Sequence, residues 1–311
     1  MSLGGTPVGS DGHGPGDGQG QESEAAEATS HALQTKSPLR NKLAPLALVL
    51  LIVLVYLPTF IWLVRSWLAD PNYSHGFLVP LVSAILVVRK RSQLQPAGRT
   101  YLGAAVLALG IALYLTGFLL GMRYVSALSF IIVLSSLMLH FYGMRVTWSM
   151  AFPIGFLVFM IPMPFADDLA LDLQSISVGS SGWLLRVLGL SITISGAEIV
   201  LDDMTFSVGL PCSGMNTLIA LLAFAALYAY LLVGPSFKRV VLLLWSIPIA
   251  ILANILRIAS IILVAYYYNE DFALGFYHDL SNLLVFLLAF ICLFLLGRIL
   301  GCRLIAPRQE H

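Results

Sequence analysis

Charge is scarce in this 311-residue chain: 11% of its residues are Asp, Glu, Lys or Arg and 59% are hydrophobic, whereas a soluble domain carries roughly 25% charge. That balance excludes an ordinary soluble domain. Nor does either sign dominate, since 17 Lys and Arg nearly cancel 16 Asp and Glu, so no electrostatic case exists for a nucleic-acid partner. Cysteine is equally scarce. Cys212, Cys292 and Cys302 make neither an even disulfide framework nor a CxxC metal pair, so no disulfide scaffold, metal or cofactor is expected, and any special cysteine acts alone. The partner that this composition demands is the lipid bilayer.

Residues 1–40 are a different material. Eight of the 26 glycines fall in the first twenty positions, and a Glu/Ala/Ser-rich stretch follows; such a segment buries too little apolar surface to offset its ordering entropy, so a disordered cytoplasmic tail is expected. Beyond it, apolar runs of about 20 residues, uncharged but for Arg257 and Arg298 and each enough to cross about 30 Å of hydrocarbon as a helix, are Leu43–Val64, Tyr101–Met122, Tyr124–Phe141, Val146–Ile161, Met215–Val233, Val240–Tyr268 and Leu283–Leu300. The shorter run Gly76–Val88 reaches across when Pro71–His75 leads into it. The expected fold is therefore an all-α integral membrane protein of about eight transmembrane helices, over residues 41–304, followed by a short cytoplasmic tail at 305–311.

Basic residues test that count. With the amino terminus inside, thirteen Lys and Arg fall on the cytoplasmic side and only Arg65, Arg123 and Arg186 outside, the segregation expected of correctly oriented spans. Both termini are then cytoplasmic. The longest non-spanning stretch, Pro162–Pro211, lies outside: Leu169, Leu173, Ile176 and Leu184 predict an interfacial helix within Asp167–Leu190. Alternation of Ile192/Ile194 and Phe206/Val208 with Thr and Ser, with turns at Gly196 and Asp202-Asp203, predicts a short β-hairpin.

Four features bear on chemistry. Arg257 is the lone charge between Val240 and Tyr268; a guanidinium within a span costs at least about 2.5 kcal/mol on insertion scales, so it marks a functional site by default, the plain alternative being an ion pair that locks the bundle. Asn254 and Ser260 share its helical face. Cys212, in Pro211-Cys-Ser-Gly-Met-Asn216, enters the sixth span, where a helix amino terminus favours a thiolate and its N–H groups can hold an oxyanion. His278 opens the eighth span on the same side and can take the thiol proton, while His75 is either a substrate-loop residue or one that supports the site. Gly179-Ser-Ser-Gly182 resembles the nucleophile string of rhomboid-type serine proteases, but four small residues in an interfacial segment are a weak signal.

Cys212-Ser213-Gly214, Asn254-Ile-Leu-Arg257 and His278, in that order, resemble the motifs of the exosortase/archaeosortase family of multi-pass membrane cysteine peptidases and transpeptidases. Tyr73-Ser-His-Gly76, Phe152-Pro-Ile-Gly-Phe156 and Met160-Ile-Pro-Met-Pro164 add to the likeness, which runs from about Leu43 to Leu300. Asn282 stands where the family commonly has Gly, and Asn216 where many members have Arg. The resemblance implies catalytic Cys212, Arg257 and His278, with His75, Asn254, Ser213, Gly214 and Asn216 contacting substrate or supporting the site. It implies a hydrolase of the cytoplasmic (inner) membrane of a bacterium or archaeon, acting near the extracytoplasmic face in protein sorting. Its substrates would be exported proteins ending in a short motif, a transmembrane helix and a basic cluster; water or a lipid or glycan acceptor would resolve the acyl-enzyme. The rival reading is a transporter or assembly subunit of an envelope polysaccharide system, with Arg257 as an anion site.

Overall fold

The computed structural model describes residues 38–95, 100–202 and 204–304. The expected tails at 1–40 and 305–311 lie outside the described residues, except that Pro38–Arg40 already begin the first helix. The chain divides into two compact units, Met1–Leu57 and Pro58–His311. Of the first, the described part is the helical stretch from Pro38; the second holds everything that follows.

The helices are α1 (Pro38–Ala69), α2 (Leu78–Arg89), α3 (Tyr101–Leu119), α4 (Arg123–Gly155), α5 (Ala166–Val187), α6 (Met215–Leu231), α7 (Ser236–Tyr267) and α8 (His278–Ile299). Pro71–Phe77 forms a 3-10 turn into α2, and Phe156–Met160 another after α4. Among the described residues six helical stretches are long and apolar enough to cross a membrane, not the eight expected. The difference has two sources. The expected fourth and fifth spans run together as Arg123–Met160, 38 residues, which at 1.5 Å per residue is about 57 Å, nearly twice a bilayer core; Gly143, at φ 76° and ψ 175°, breaks the helix within it. The expected sixth span is α6, only 17 residues long.

Close packing of α3 on α4 rests on three glycines at seven-residue spacing, hence on one helical face. A Cβ at Gly103 would lie 2.6 Å from the His140 backbone, at Gly110 2.8 Å from Val133, and at Gly117 2.7 Å from the Ser126 backbone nitrogen. Small residues let helices approach where lipid offers no hydrophobic drive to associate. Gly103→Leu is therefore expected to cost about 1–3 kcal/mol by overpacking against backbone that cannot yield. Gly155→Ala, which meets nothing within 4 Å, should be neutral; melting both variants in detergent checks the contrast.

Between α5 and α6 the chain forms three strands where a hairpin was expected: β1 (Ile192–Ser195), β2 (Glu198–Leu201) and β3 (Met204–Ser207), antiparallel in the order β1-β2-β3. Ile192 pairs with Leu201 and Ser195 with Glu198, then Leu201 with Met204. The two turns read from the sequence flank a strand of their own, Glu198-Ile-Val-Leu201, whose pattern the hairpin reading passed over. Ile192, Ile199, Leu201 and Phe206 pack with Val178 and Leu185 of α5 and Ile258 and Ile262 of α7 in a small core.

The buried stripe of α5 also differs from expectation. Leu169 and Ile176 are exposed, while Ala166, Ala170, Leu173, Ser177, Ser181 and Leu185 are buried. Ser181 meets α7, where its hydroxyl donates to the Ile255 carbonyl at 3.1 Å, while Leu169, Leu171, Ile176 and Trp183 face outward. The Gly179-Ser-Ser-Gly182 string is part of this contact: Ser181 is fully buried, and a Cβ at Gly182 would strike Ile194 at 2.5 Å.

Candidate active site

The site forms where β3 runs into α6. Leu210–Cys212 make one 3-10 turn, and α6 begins at Met215 after Gly214, whose φ of 92° is left-handed. Cys212 is thus three residues ahead of α6 and not within its first turn. The turn is held from both sides by α5: the Gln174 side-chain amide donates to the Val208 carbonyl, and the Ser177 hydroxyl donates to the Ser213 carbonyl at 3.4 Å. From α7, the Asn254 amide nitrogen donates to the Cys212 carbonyl at 3.1 Å and to Ser177 Oγ at 3.0 Å. Asn254 and Ser177 are each 1% exposed, so these bonds are made away from water, where losing a partner costs about 1–3 kcal/mol.

Three side chains from three elements converge on one point. Cys212 Sγ lies 3.3 Å from His278 Nε2, at the first residue of α8. Arg257 Nη2, from the middle of α7, lies 3.3 Å from the same Nε2, and its Nε donates to Ser281 Oγ at 3.4 Å. Ser281 in turn donates to the His278 carbonyl at 2.8 Å, so one hydroxyl ties the guanidinium to the turn carrying the imidazole. Arg257 is 5% exposed. Among the described residues the only ion pair is between His278 and Asp279, so the guanidinium has no carboxylate within salt-bridge distance and the bundle-locking alternative lacks a partner. Ser260, expected beside Arg257, donates to the Arg257 carbonyl of its own helix instead.

The backbone N–H groups of the thiol's own turn are spent. The Cys212 N–H donates to the Gly209 carbonyl at 2.9 Å and that of Ser213 to the Leu210 carbonyl at 3.0 Å, while the Met215 N–H takes Ser213 Oγ at 3.3 Å. An oxyanion beside Cys212 would meet a side-chain donor rather than these amides, and Arg257 supplies one at the spot. A thiol next to an imidazole can pass its proton to Nε2, and a nearby guanidinium favours the resulting thiolate. His278 Nδ1 stands 3.5 Å from the 92% exposed Asp279 carboxylate, a long and solvated contact that contributes little.

His75 does not join this cluster by hydrogen bond. Its Nε2 donates to the Phe159 carbonyl at 3.2 Å, which with the Met163 N–H bond to Tyr73 Oη stitches Pro71–Phe77 to the stretch after α4, while Trp67 Nε1 donates to the Met160 carbonyl from the end of α1. His75 does line a groove of about 440 Å³ bounded by that segment, α2, α6 and α8. Asn216 lines it too, from the first turn of α6, with Asp279 and Asn282 of α8. The groove therefore opens one residue from His278 and four from Cys212. Among the described residues no cluster of three or more His, Cys, Asp or Glu is placed to hold a metal.

The profile of the transmembrane exosortase family matches residues 67–295, nearly three quarters of the chain, and spans every residue of this cluster. The chain belongs to the transmembrane exosortase family. No curated protein and no solved structure matches it. As a family member with several apolar helices it is a multi-pass membrane protein. Within the matched region Ser177, Ser281 and Asp279 were not singled out from the sequence. A serine on an apolar helix usually returns its hydroxyl to its own backbone, as Ser129, Ser136 and Ser246 do here, so composition alone does not separate the two kinds. Position i+3 from His278 was the available signal for Ser281, and i−4 from Ser181 for Ser177.

Proposed function

We propose that this protein is a membrane-embedded cysteine protease or transpeptidase that cleaves the carboxyl-terminal sorting signal of exported proteins. The observation that carries the reading is the approach of Cys212 Sγ and Arg257 Nη2 to the same His278 nitrogen, at 3.3 Å each. His278 takes the thiol proton, and the thiolate attacks the peptide carbonyl, forming an S–C bond as the carbonyl π pair moves onto oxygen. Arg257 faces that oxygen and stabilises its charge. When the oxyanion collapses, the C–N bond breaks and the departing amine takes its proton from His278. Water or an amine of a lipid or glycan carrier then attacks the thioester and restores the thiol.

In this reading the site faces the extracytoplasmic side of a bacterial or archaeal cytoplasmic membrane, with both termini inside. Arg123–Met160 crosses twice about the Gly143 break and α6 once, which gives eight crossings. The substrate's own transmembrane helix brings its cleavage segment to the groove beside His278.

The test is the intact mass of carboxyl-terminally anchored exported proteins in cells making the wild-type chain or Cys212→Ala at matched levels. Loss of the carboxyl-terminal segment with the wild type alone is the expected result, and added mass on the shortened product makes the enzyme a transpeptidase. Identical masses, with the anchored proteins present, would overturn the nucleophile assignment.

A further inference from the structure

We infer that β3 is a docking edge: the extended substrate segment that precedes the scissile bond adds to it as a fourth strand, parallel to β3, held by the outward N–H and C=O groups of Thr205 and Ser207. The inference rests on the protease reading above and adds the surface that takes the exported side of the substrate.

The ladder fixes which groups face outward. The sheet runs β1-β2-β3, so β3 has a partner strand on one side only. Residues of an antiparallel strand alternate between turning both N–H and C=O to the neighbour and turning both away. The Val208 N–H donates to the Ala197 carbonyl at 2.9 Å, in the register that pairs Ile199 with Phe206 and Leu201 with Met204. Met204, Phe206 and Val208 therefore face β2, and Thr205 and Ser207 turn away from it. Both are exposed, and among the described residues no backbone group outside the sheet bonds to either.

The opposite edge is covered. Leu201 faces β3, so its β1 partner Ile192 faces away from β2, and the Ile192 carbonyl accepts from Arg186 Nε at 3.1 Å. Occupying an edge in this way blocks a further strand. On β3 the Gln174 amide goes to the Val208 carbonyl, and no side chain among the described residues bonds to the Thr205 or Ser207 backbone.

The place of the free edge names its occupant. β3 leads into the 3-10 turn of Cys212, and Ser207 is five positions ahead of the thiol, at most about 18 Å of extended chain. An unpaired edge binds an extended backbone, and a peptide whose last residue meets Cys212 runs in β3's own direction. In the protease reading the segment before the cleaved bond is the exported part, while the segment after it leads into the membrane. Backbone pairing is indifferent to side chains, so this edge supplies affinity and register to segments of differing sequence.

The probe is acetyl-hexa-alanine chloromethyl ketone, presented to the full-length protein in lipid nanodiscs. Alkylation of Cys212 is followed by mass spectrometry of the Cys212-bearing fragment, and each rate is divided by that for iodoacetamide, which reports the thiol alone. A set of probes carries one N-methyl group each, moved along the chain. Methylation is expected to lower the ratio about three- to tenfold, the loss of one hydrogen bond, at two amides two residues apart, and by less than about twofold at the amide between them. That alternation is the mark of a strand and is read on the wild-type protein. Thr205→Pro and Ser207→Pro remove an outward N–H and spare the bonds to β2, so each should lower the ratio for the unmethylated probe by a similar factor. Equal effects of methylation at every amide, or at none, would overturn the inference, as would proline variants with the wild-type ratio. So would labelling by iodoacetamide with none by the hexapeptide, since backbone pairing accepts polyalanine. Failure of the protease reading shows elsewhere, as identical masses of anchored proteins with and without Cys212.

Discussion

Replacing Arg257 with Leu is expected to lower turnover of the anchored substrate about 10²- to 10³-fold, the loss typical of removing one oxyanion donor, while leaving the folded protein at least as stable. The two effects separate because of what surrounds the side chain. Arg257 is buried with no carboxylate in salt-bridge distance among the described residues, so its removal strands no opposite charge. Deleting a guanidinium from a membrane helix should instead recover part of the roughly 2.5–3.5 kcal/mol that insertion charges for it. Ser281 loses one donor but keeps its bond to the His278 carbonyl. Arg257→Lys should also lose most activity although it retains the charge. The arginine reaches Ser281 with Nε and His278 with Nη2, and a single ammonium cannot occupy both places. Single-turnover rates on the substrate found by mass comparison, beside melting curves in detergent, check the pair. A variant that melts earlier and loses activity in proportion would return Arg257 to a structural role.

Much of the membrane architecture is legible because lipid leaves the sequence little freedom: an uncharged run near 20 residues has few uses other than a crossing. Legibility fails where length and period mislead. Length misleads at α6, where the uncharged run Met215–Val233 forms a helix of only 17 residues, whereas the boundary between Tyr124–Phe141 and Val146–Ile161 coincides with the break at Gly143, whose φ is 76°. The hydrophobic positions of α5 point to a leucine face, yet Leu169 and Ile176 are exposed and the buried face mixes Leu173, Val178 and Leu185 with Ala, Ser and Gly, the small residues lying where α7 and the sheet approach closely. The meeting of Cys212, Arg257 and His278 is a tertiary fact. His278 is 66 residues from Cys212 in sequence, and no local pattern measures that separation; span topology puts the two on one side of the membrane, and the order of motifs pairs them through resemblance. The position of Cys212 relative to α6 is where local reasoning is coarse. A helix amino terminus offers free N–H groups, but Cys212 lies three residues ahead of α6 in a 3-10 turn that uses its own N–H and that of Ser213, while the buried arginine stands against the same imidazole as the thiol.

That dependence on the turn makes Gly214 the most sensitive position that bears no functional group. Gly214→Ala is expected to reduce turnover about 100-fold, the scale of a 1 Å displacement of a reacting group, in a protein that still folds. A φ of 92° disfavours any side chain, and the new Cβ would lie 2.7 Å from Asn254 Cγ. Asn254 cannot retreat without cost, since it is 1% exposed and its amide holds both Ser177 and the Cys212 carbonyl. The displacement therefore passes to the backbone that aims Sγ at His278. A double-mutant cycle isolates the route. Asn254→Ala removes the same hold on Cys212, so Gly214→Ala added to it should cost less than about threefold more, the residue of backbone strain alone. Strictly multiplicative losses would mean that Gly214 acts on the site without Asn254, and would break the proposed chain from glycine to asparagine to thiol.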